Sequence, residues 1–227
     1  MDISYLSKED INKLILEYLV IEGYQDAAIK FIDETGFDAS LIEDQIHSDT
    51  LAERMIIRQS VIDKKIEEAI DSVNKMLPDF FTSSPFIYYQ LRQIQMLELI
   101  REKKIEEALI FAQSHLAEPV SKFSRDHPQL LSEMENTMAL LAFENPEKSI
   151  YGSLLSESHV EVVAGSLNRE ILKYLEVNKE VSHRSHDIYE NFGVTTSMPR
   201  LTKMMSFLLY LQEQTQLEIP KELTNID

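Results

Sequence analysis

Along most of this chain apolar side chains return every three or four positions and polar ones fill the gaps, the spacing of one buried face on an α-helix. The first such run carries Ile11, Leu14, Ile15, Tyr18 and Leu19. Ser7 followed by Asp10 offers a capping box at its start, and Gly23 is placed to stop it. A second, shorter run from about Tyr24 carries Ala27, Ala28, Phe31 and Ile32, with Gly36 as its expected left-handed cap. Residues 37–49 read as a polar connection, and "TLAE" at 50–53 offers another capping box that opens a longer helical region.

That region repeats itself. "KKIEEAI" begins at Lys64 and "KKIEEAL" at Lys103, an offset of 39 residues. In the same register Ile57 matches Met96, Val61 matches Ile100, Asp63 matches Glu102, Ala69 matches Ala108 and Leu77 matches Leu116. In each copy an apolar helix ends in a charged turn and a second helix starts with the repeated heptamer, so each copy is a helical hairpin. Ile66, Ala69 and Ile70, and in the second copy Ile105, Ala108 and Leu109, form the packing stripe. The alanine at its centre lets two helix axes approach closely. A lone hairpin cannot bury such a stripe, whereas two stacked copies can. "SSPF" at 83–86 marks the boundary between copies, with Pro85 suited to a first helical turn.

After Pro119 the stretch "VSKFSRDHP" reads as a polar break, and Pro128 opens a helix carrying Leu130, Leu131, Met134, Met138, Leu141 and Ala142. "FENPEKSIYGSLL" interrupts it, with Pro146 and Gly152 as punctuation. Further helices are expected near 158–177 and 199–215, separated by a long exposed loop over 178–198. The predicted fold class is therefore all-α: helical hairpins stacked in an elongated array behind an N-terminal two-helix motif.

Composition narrows the partners. The net charge of −17 repels phosphate backbones and anionic lipid, which argues against nucleic acid and membrane and leaves proteins as partners. The absence of cysteine excludes disulfides, thiol catalysis and thiolate zinc sites within these residues. The N-terminus lacks the pattern of a signal peptide, and "FLLYL" at 207–211 is too short to span a bilayer, so a soluble intracellular protein is expected.

Catalytic chemistry is not advertised. No Gly-rich phosphate loop or serine nucleophile elbow occurs, and the six histidines are scattered. His183 and His186, followed by Asp187, have helical metal-ligand spacing, but they fall in a loop-like stretch without the glutamate of a metalloprotease helix and read as exposed histidines. No catalytic residue, metal site or cofactor is expected. The first two helices carry a wide apolar face on a unit below the ~40 residues usually needed for independent folding. That face must be covered by another copy or by another helix of the chain.

The segment from Ile11 to Phe31, "INKLILEYLVIEGYQDAAIKF", resembles the LisH motif in its Leu14-Ile15-x-Glu17-Tyr18-Leu19 run, its Gly23-Tyr24 pair, its two alanines and its closing phenylalanine. The double hairpin resembles a CTLH domain, and the region from 118, with "LLAFENPEKSIYGSLL" at 140–155, resembles a CRA domain. The chain is thus similar to the LisH-CTLH-CRA family, with LisH over 7–37, CTLH over 50–117, CRA over 118–215 and a tail over 216–227. Neither a SPRY domain nor a RING-like domain, as larger members carry, is read in these residues.

The resemblance implies a non-catalytic scaffold of a GID/CTLH-type ubiquitin ligase, cytoplasmic and nuclear, joining RING-bearing subunits to the substrate-receptor module. It implies as partners other LisH-CTLH-CRA proteins, including RING-bearing and SPRY-bearing subunits, and allows a homodimer. A LisH adaptor in a cytoskeletal or transcriptional assembly is the competing reading. The implied LisH interface comprises Ile11, Leu14, Ile15, Tyr18, Leu19, Ala27, Ala28 and Phe31, with Phe143, Pro146, Leu208 and Leu211 as CRA interface candidates. The resemblance further implies that LisH packs with the last CRA helices, about 199–215, as one dimerising unit, while CTLH and the first part of CRA form another. Lys64 stands where family members often have glycine, so a looser turn or another geometry is expected at 62–65.

Overall fold

The computed structural model describes residues 7–37, 50–180 and 199–206. Every regular element among them is helical. They fall into two compact units: the N-terminal hairpin together with the C-terminal segment, and Ala52–Lys179.

In the first unit, α1 (Lys8–Glu22) and α2 (Gln25–Thr35) form a hairpin. The capping box is complete, with the Ser7 hydroxyl accepting from the Asp10 amide while the Asp10 carboxylate accepts from the Ser7 amide. Gly23 and Gly36 close the two helices in the left-handed conformation. The C-terminal segment contributes a helix over 200–206, here α11.

The second unit opens with α3 (Leu51–Ile62) and α4 (Ile66–Met76), followed by the short α5 (Phe80–Ser83) and then α6 (Pro85–Arg101). Pro85 starts α6, as a proline without an N–H can at the first helical position. Ten of the seventeen residues of α6 are buried. Ile87, Leu91 and Ile94 join a core with α3, α4 and α5, while Tyr89, Met96, Leu97 and Ile100 join a second core with the helices that follow. A helix buried all round has no polar face to display. This one is the central member of the unit.

The next helical run is continuous from Ile105 to Phe123: α7 (Ile105–Phe111), one π-helical turn (Ala112–Leu116) and α8 (Ala117–Phe123). The polar break expected over the nine residues after Pro119 is therefore shorter and begins only after Phe123, and the expected limit of the hairpin repeat at 117 falls inside this run. The π turn shifts the hydrogen-bond register just before Pro119, so its missing N–H falls where the ladder already changes step. A turn at 124–128 leads to α9 (Gln129–Ala139), then to three 3₁₀ turns between Leu140 and Leu155. A Cβ at Gly152 would lie 2.1 Å from the Glu147 carbonyl oxygen, which explains the glycine in "SIYGSLL".

Finally α10 (Glu157–Glu180) returns to the first hairpin, placing Val160, Val163, Ala164, Leu167 and Ile171 in its core. It extends past the expected start of the loop at 178; residues 181–198 lie outside the described residues, as do the expected helix beyond 206 and the tail.

Candidate interaction surfaces

On the N-terminal hairpin, Leu16, Val20, Ile21 and Ala28 are the buried apolar positions. Leu14, Ile15, Tyr18, Leu19 and Phe31 are half-buried, and Ile11 and Ala27 are exposed. The face picked from sequence is thus one step around α1 from the interior. Glu17, also buried, accepts from the Arg200 backbone N–H at 3.1 Å and from its Nε at 2.6 Å, which ties α11 to α1. This contact between LisH-like and C-terminal segments matches the expected packing. Nothing in the spacing of Glu17 announces it, since its partner lies 183 residues away. A groove of about 410 Å³ runs beside it, with Leu14 and Met204 as its apolar walls and Lys13 and Lys203 at its edge.

The hairpin turns settle the question raised by Lys64. The turn is not looser: Lys64 takes the left-handed conformation with φ 61°, and Lys103, its equivalent, does the same with φ 60°. Each is closed by paired backbone bonds, Lys64 N–H to Val61 and Lys65 N–H to Ser60 in the first copy, and Lys103 N–H to Ile100 and Lys104 N–H to Leu99 in the second. Such bonds satisfy carbonyls at a helix end and hold a conformation that costs an L-residue roughly 1–2 kcal/mol. At Lys64 the ammonium adds contacts to Glu98 at 3.1 Å and Glu157 at 2.9 Å. The lysine holds the exposed Glu157 carboxyl below its usual range, at the first turn of α10.

The packing stripe divides unevenly. Ile66, Ala69, Ile70 and Ala108 are buried, but Ile105 is 40% and Leu109 39% exposed, against 1% and 5% for their equivalents Ile66 and Ile70. In the second copy the stripe turned inward is Ala108, Ala112 and Leu116. The placement of Ile105 and Leu109 in the hairpin core is therefore a correction: their equivalents share a core with α6, and among the described residues α7 has no following hairpin against its outer side. Phe143 is exposed and Pro146 half-buried, and with Ile105 and Leu141 they line a groove of about 320 Å³. Leu208 and Leu211 lie outside the described residues.

A buried polar pair accompanies each copy, and sequence reasoning missed both. In the first, Arg54 Nη1 donates to Asn168 Oδ1 of α10 at 2.7 Å. In the second, at the equivalent position, Gln93 Nε2 donates to the Thr137 hydroxyl of α9 at 2.6 Å, and that hydroxyl donates to the Glu133 carbonyl at 2.7 Å. The available signal was a polar residue three positions before the aligned Ile57 and Met96, on the apolar stripe of both copies. Each hairpin is thereby keyed to a different later helix.

Near the second pair, burial pushes the His159 imidazole below its ordinary value, against a weaker opposing pull from Glu133. No cluster of three or more metal-ligating side chains occurs among the described residues, and no described helix is long and apolar enough to cross a membrane. His183 and His186 lie outside them.

Two helical units, one holding a short hairpin joined to a C-terminal helix and the other a repeated hairpin closed by later helices, define a class of helical interaction protein. The description "CTLH/CRA C-terminal to LisH motif domain" matches residues 50–189, and "LisH" matches residues 9–35. The glucose-induced degradation protein 8 homolog of Nematostella vectensis is 36% identical over 92% of this chain and 81% of its own length. Its counterpart in Dictyostelium discoideum is 40% identical over 74% of this chain and 69% of its own, and GID complex subunit 8 of Schizosaccharomyces pombe is 30% identical over 74% and 71%. The chain belongs to this LisH and CTLH/CRA family.

Proposed function

We propose that the chain is a subunit of a GID-type complex, and that within it the chain is a non-catalytic scaffold of a multi-subunit E3 ubiquitin ligase. In that role it links RING-bearing catalytic subunits to a substrate-receptor module, in cytoplasm and nucleus, through partners built like itself, SPRY-bearing ones included. The observation that carries the reading is the similarity to GID8 homologues and to a GID complex subunit over more than two thirds of both chains. The division into two units supports it, because a linker subunit needs two independent faces. On the first unit the half-buried Leu14, Ile15, Tyr18, Leu19 and Phe31 are the association face, since such residues resemble a small core divided between chains.

The test is native purification of the tagged chain from its own cells, with mass spectrometry and a ubiquitin-transfer assay on the eluate. RING-bearing and SPRY-bearing proteins in one assembly, with transfer activity lost when the chain is depleted, is the expected result. Recovery of cytoskeletal or transcriptional proteins without RING-bearing ones overturns the reading.

A further inference from the structure

The start of α10 is held less completely than its middle. There Asn168 accepts from the buried Arg54, and Val163, Ala164 and Leu167 fill the first core. At the start, His159 is the third residue of the helix, and its N–H donates to the Ser156 hydroxyl at 3.2 Å. Its ring nitrogen Nε2 is buried and has no hydrogen-bond partner among the described residues. The same holds for the Tyr89 hydroxyl and for Gln93 Oε1, on two fully buried residues of α6.

All three groups gather about the Glu133 carboxylate of α9. Gln93 Nε2 donates to it at 3.3 Å. Burial, and then the Glu133 charge, pushes the Tyr89 phenol up, and the same charge pulls on His159. Each unpaired buried atom forfeits a hydrogen bond that water would supply, so this junction opens more readily than the paired one between Arg54 and Asn168.

We infer that the first turns of α10 form a proton-operated latch: with His159 neutral they stay closed over α6 and α9, and uptake of a proton by its imidazole releases them. An imidazolium is disfavoured there twice, by the burial of Nε2 and by the positive end of the helix that carries it. Glu133 opposes this more weakly than burial drives it. The other groups nearby do not offset it. Tyr89, Gln93 and Thr137 are neutral, Glu157 meets Lys64 at 2.9 Å and Arg101 at 3.8 Å, and Glu161 is exposed. Because the closed form holds its imidazole below the ordinary 6.5, it binds fewer protons than the open one, and release grows as pH falls from there. Opening frees Glu157 from Lys64 and Val160 from the core, and stops at the paired Asn168. The latch needs no part of the scaffold reading.

Hydrogen exchange of the full chain tests it, with protection factors corrected for the intrinsic pH dependence of exchange. Between about pH 7.5 and 5.5 the amides of residues 161–164 should lose protection severalfold, up to the roughly tenfold ceiling for a group that titrates at 6.5 when open. Those of α3 should keep theirs. His159→Phe and His159→Gln should each abolish the loss, His127→Gln should leave it intact, and Glu133→Gln should deepen it by removing the opposing pull. Proton NMR of the wild-type ring should place the His159 midpoint below 6.5.

Unchanged protection, or a loss that survives both His159 variants, overturns the inference. So does protection that rises with acid, because Glu133 then captures the imidazolium, and so does a ring midpoint at or above 6.5.

Discussion

The two copies of the hairpin share a heptamer, a left-handed lysine, a crossing alanine and a buried polar position, yet one stripe is closed and the other open. Ile70 and Leu109 are equivalent and similar in size, and their exposures are 5% and 39%. The difference lies in the neighbours. The first copy has α6 against it and α10 behind it, while the second has α9 behind it and, among the described residues, no further hairpin in front. A repeat array must end somewhere, and its terminal surface is either made polar or used. Here Ile110 in place of Asp71 moves the end away from the polar solution.

The sharpest way to break this comparison is to truncate both residues. Ile70→Ala should cost about 2–5 kcal/mol, the range for an aliphatic side chain removed from a packed core, while Leu109→Ala should cost below about 1 kcal/mol. Urea unfolding midpoints at constant m decide it. Equal losses would show that the second stripe is covered in solution.

The buried polar pairs give the next largest effect. Asn168→Leu removes an acceptor from the buried Arg54 guanidinium and should cost about 3 kcal/mol, whereas Thr137→Val withdraws a hydroxyl from the neutral Gln93 amide and should cost about 1–2 kcal/mol. Denaturant melts of both variants beside wild type rank the two keys. If Thr137→Val is the more damaging, the charged pair is not the stronger constraint.

Smaller still are the turns. Lys103→Gly relieves the left-handed strain and should stabilise the chain by about 1 kcal/mol. Lys64→Gly should gain less, because it also loses the contacts to Glu98 and Glu157. Thermal midpoints of the two glycine variants report the difference directly.

The pH dependence is the mildest probe. His159 has its folded value depressed by burial below the ordinary 6.5, so the unfolded chain takes up the proton first as pH falls. Its contribution is fully present above 6.5 and is lost as pH falls from there through the folded value. Stability curves of wild type and His159→Gln between pH 7.5 and 5 should converge toward the acid end, and parallel curves would remove His159 from the account.

Periodicity and capping are local, and what depends on them was legible in the chain. The helices, the Ser7 capping box, the left-handed Gly23 and Gly36, and the repeat itself are fixed by neighbours within a few residues or by self-similarity. Pro119 put the start of the break a few residues too early, because a π turn ahead of it absorbs the missing donor and the helix runs on to Phe123, a register shift that composition does not mark. Lys64 misled the reading because strain in one residue is outweighed by bonds from the turn on either side.

The sequence by itself determined an all-helical chain with a LisH-like hairpin and a duplicated second hairpin, since each follows from short-range patterns of apolar, capping and repeated residues. Only the tertiary structure decided which copy of the stripe is covered, which polar side chains lock each hairpin, and that Glu17 reaches Arg200. Those outcomes depend on helices far away in the chain arriving at a particular face. Two equivalent residues with the same local pattern acquire different burial only from what packs against them.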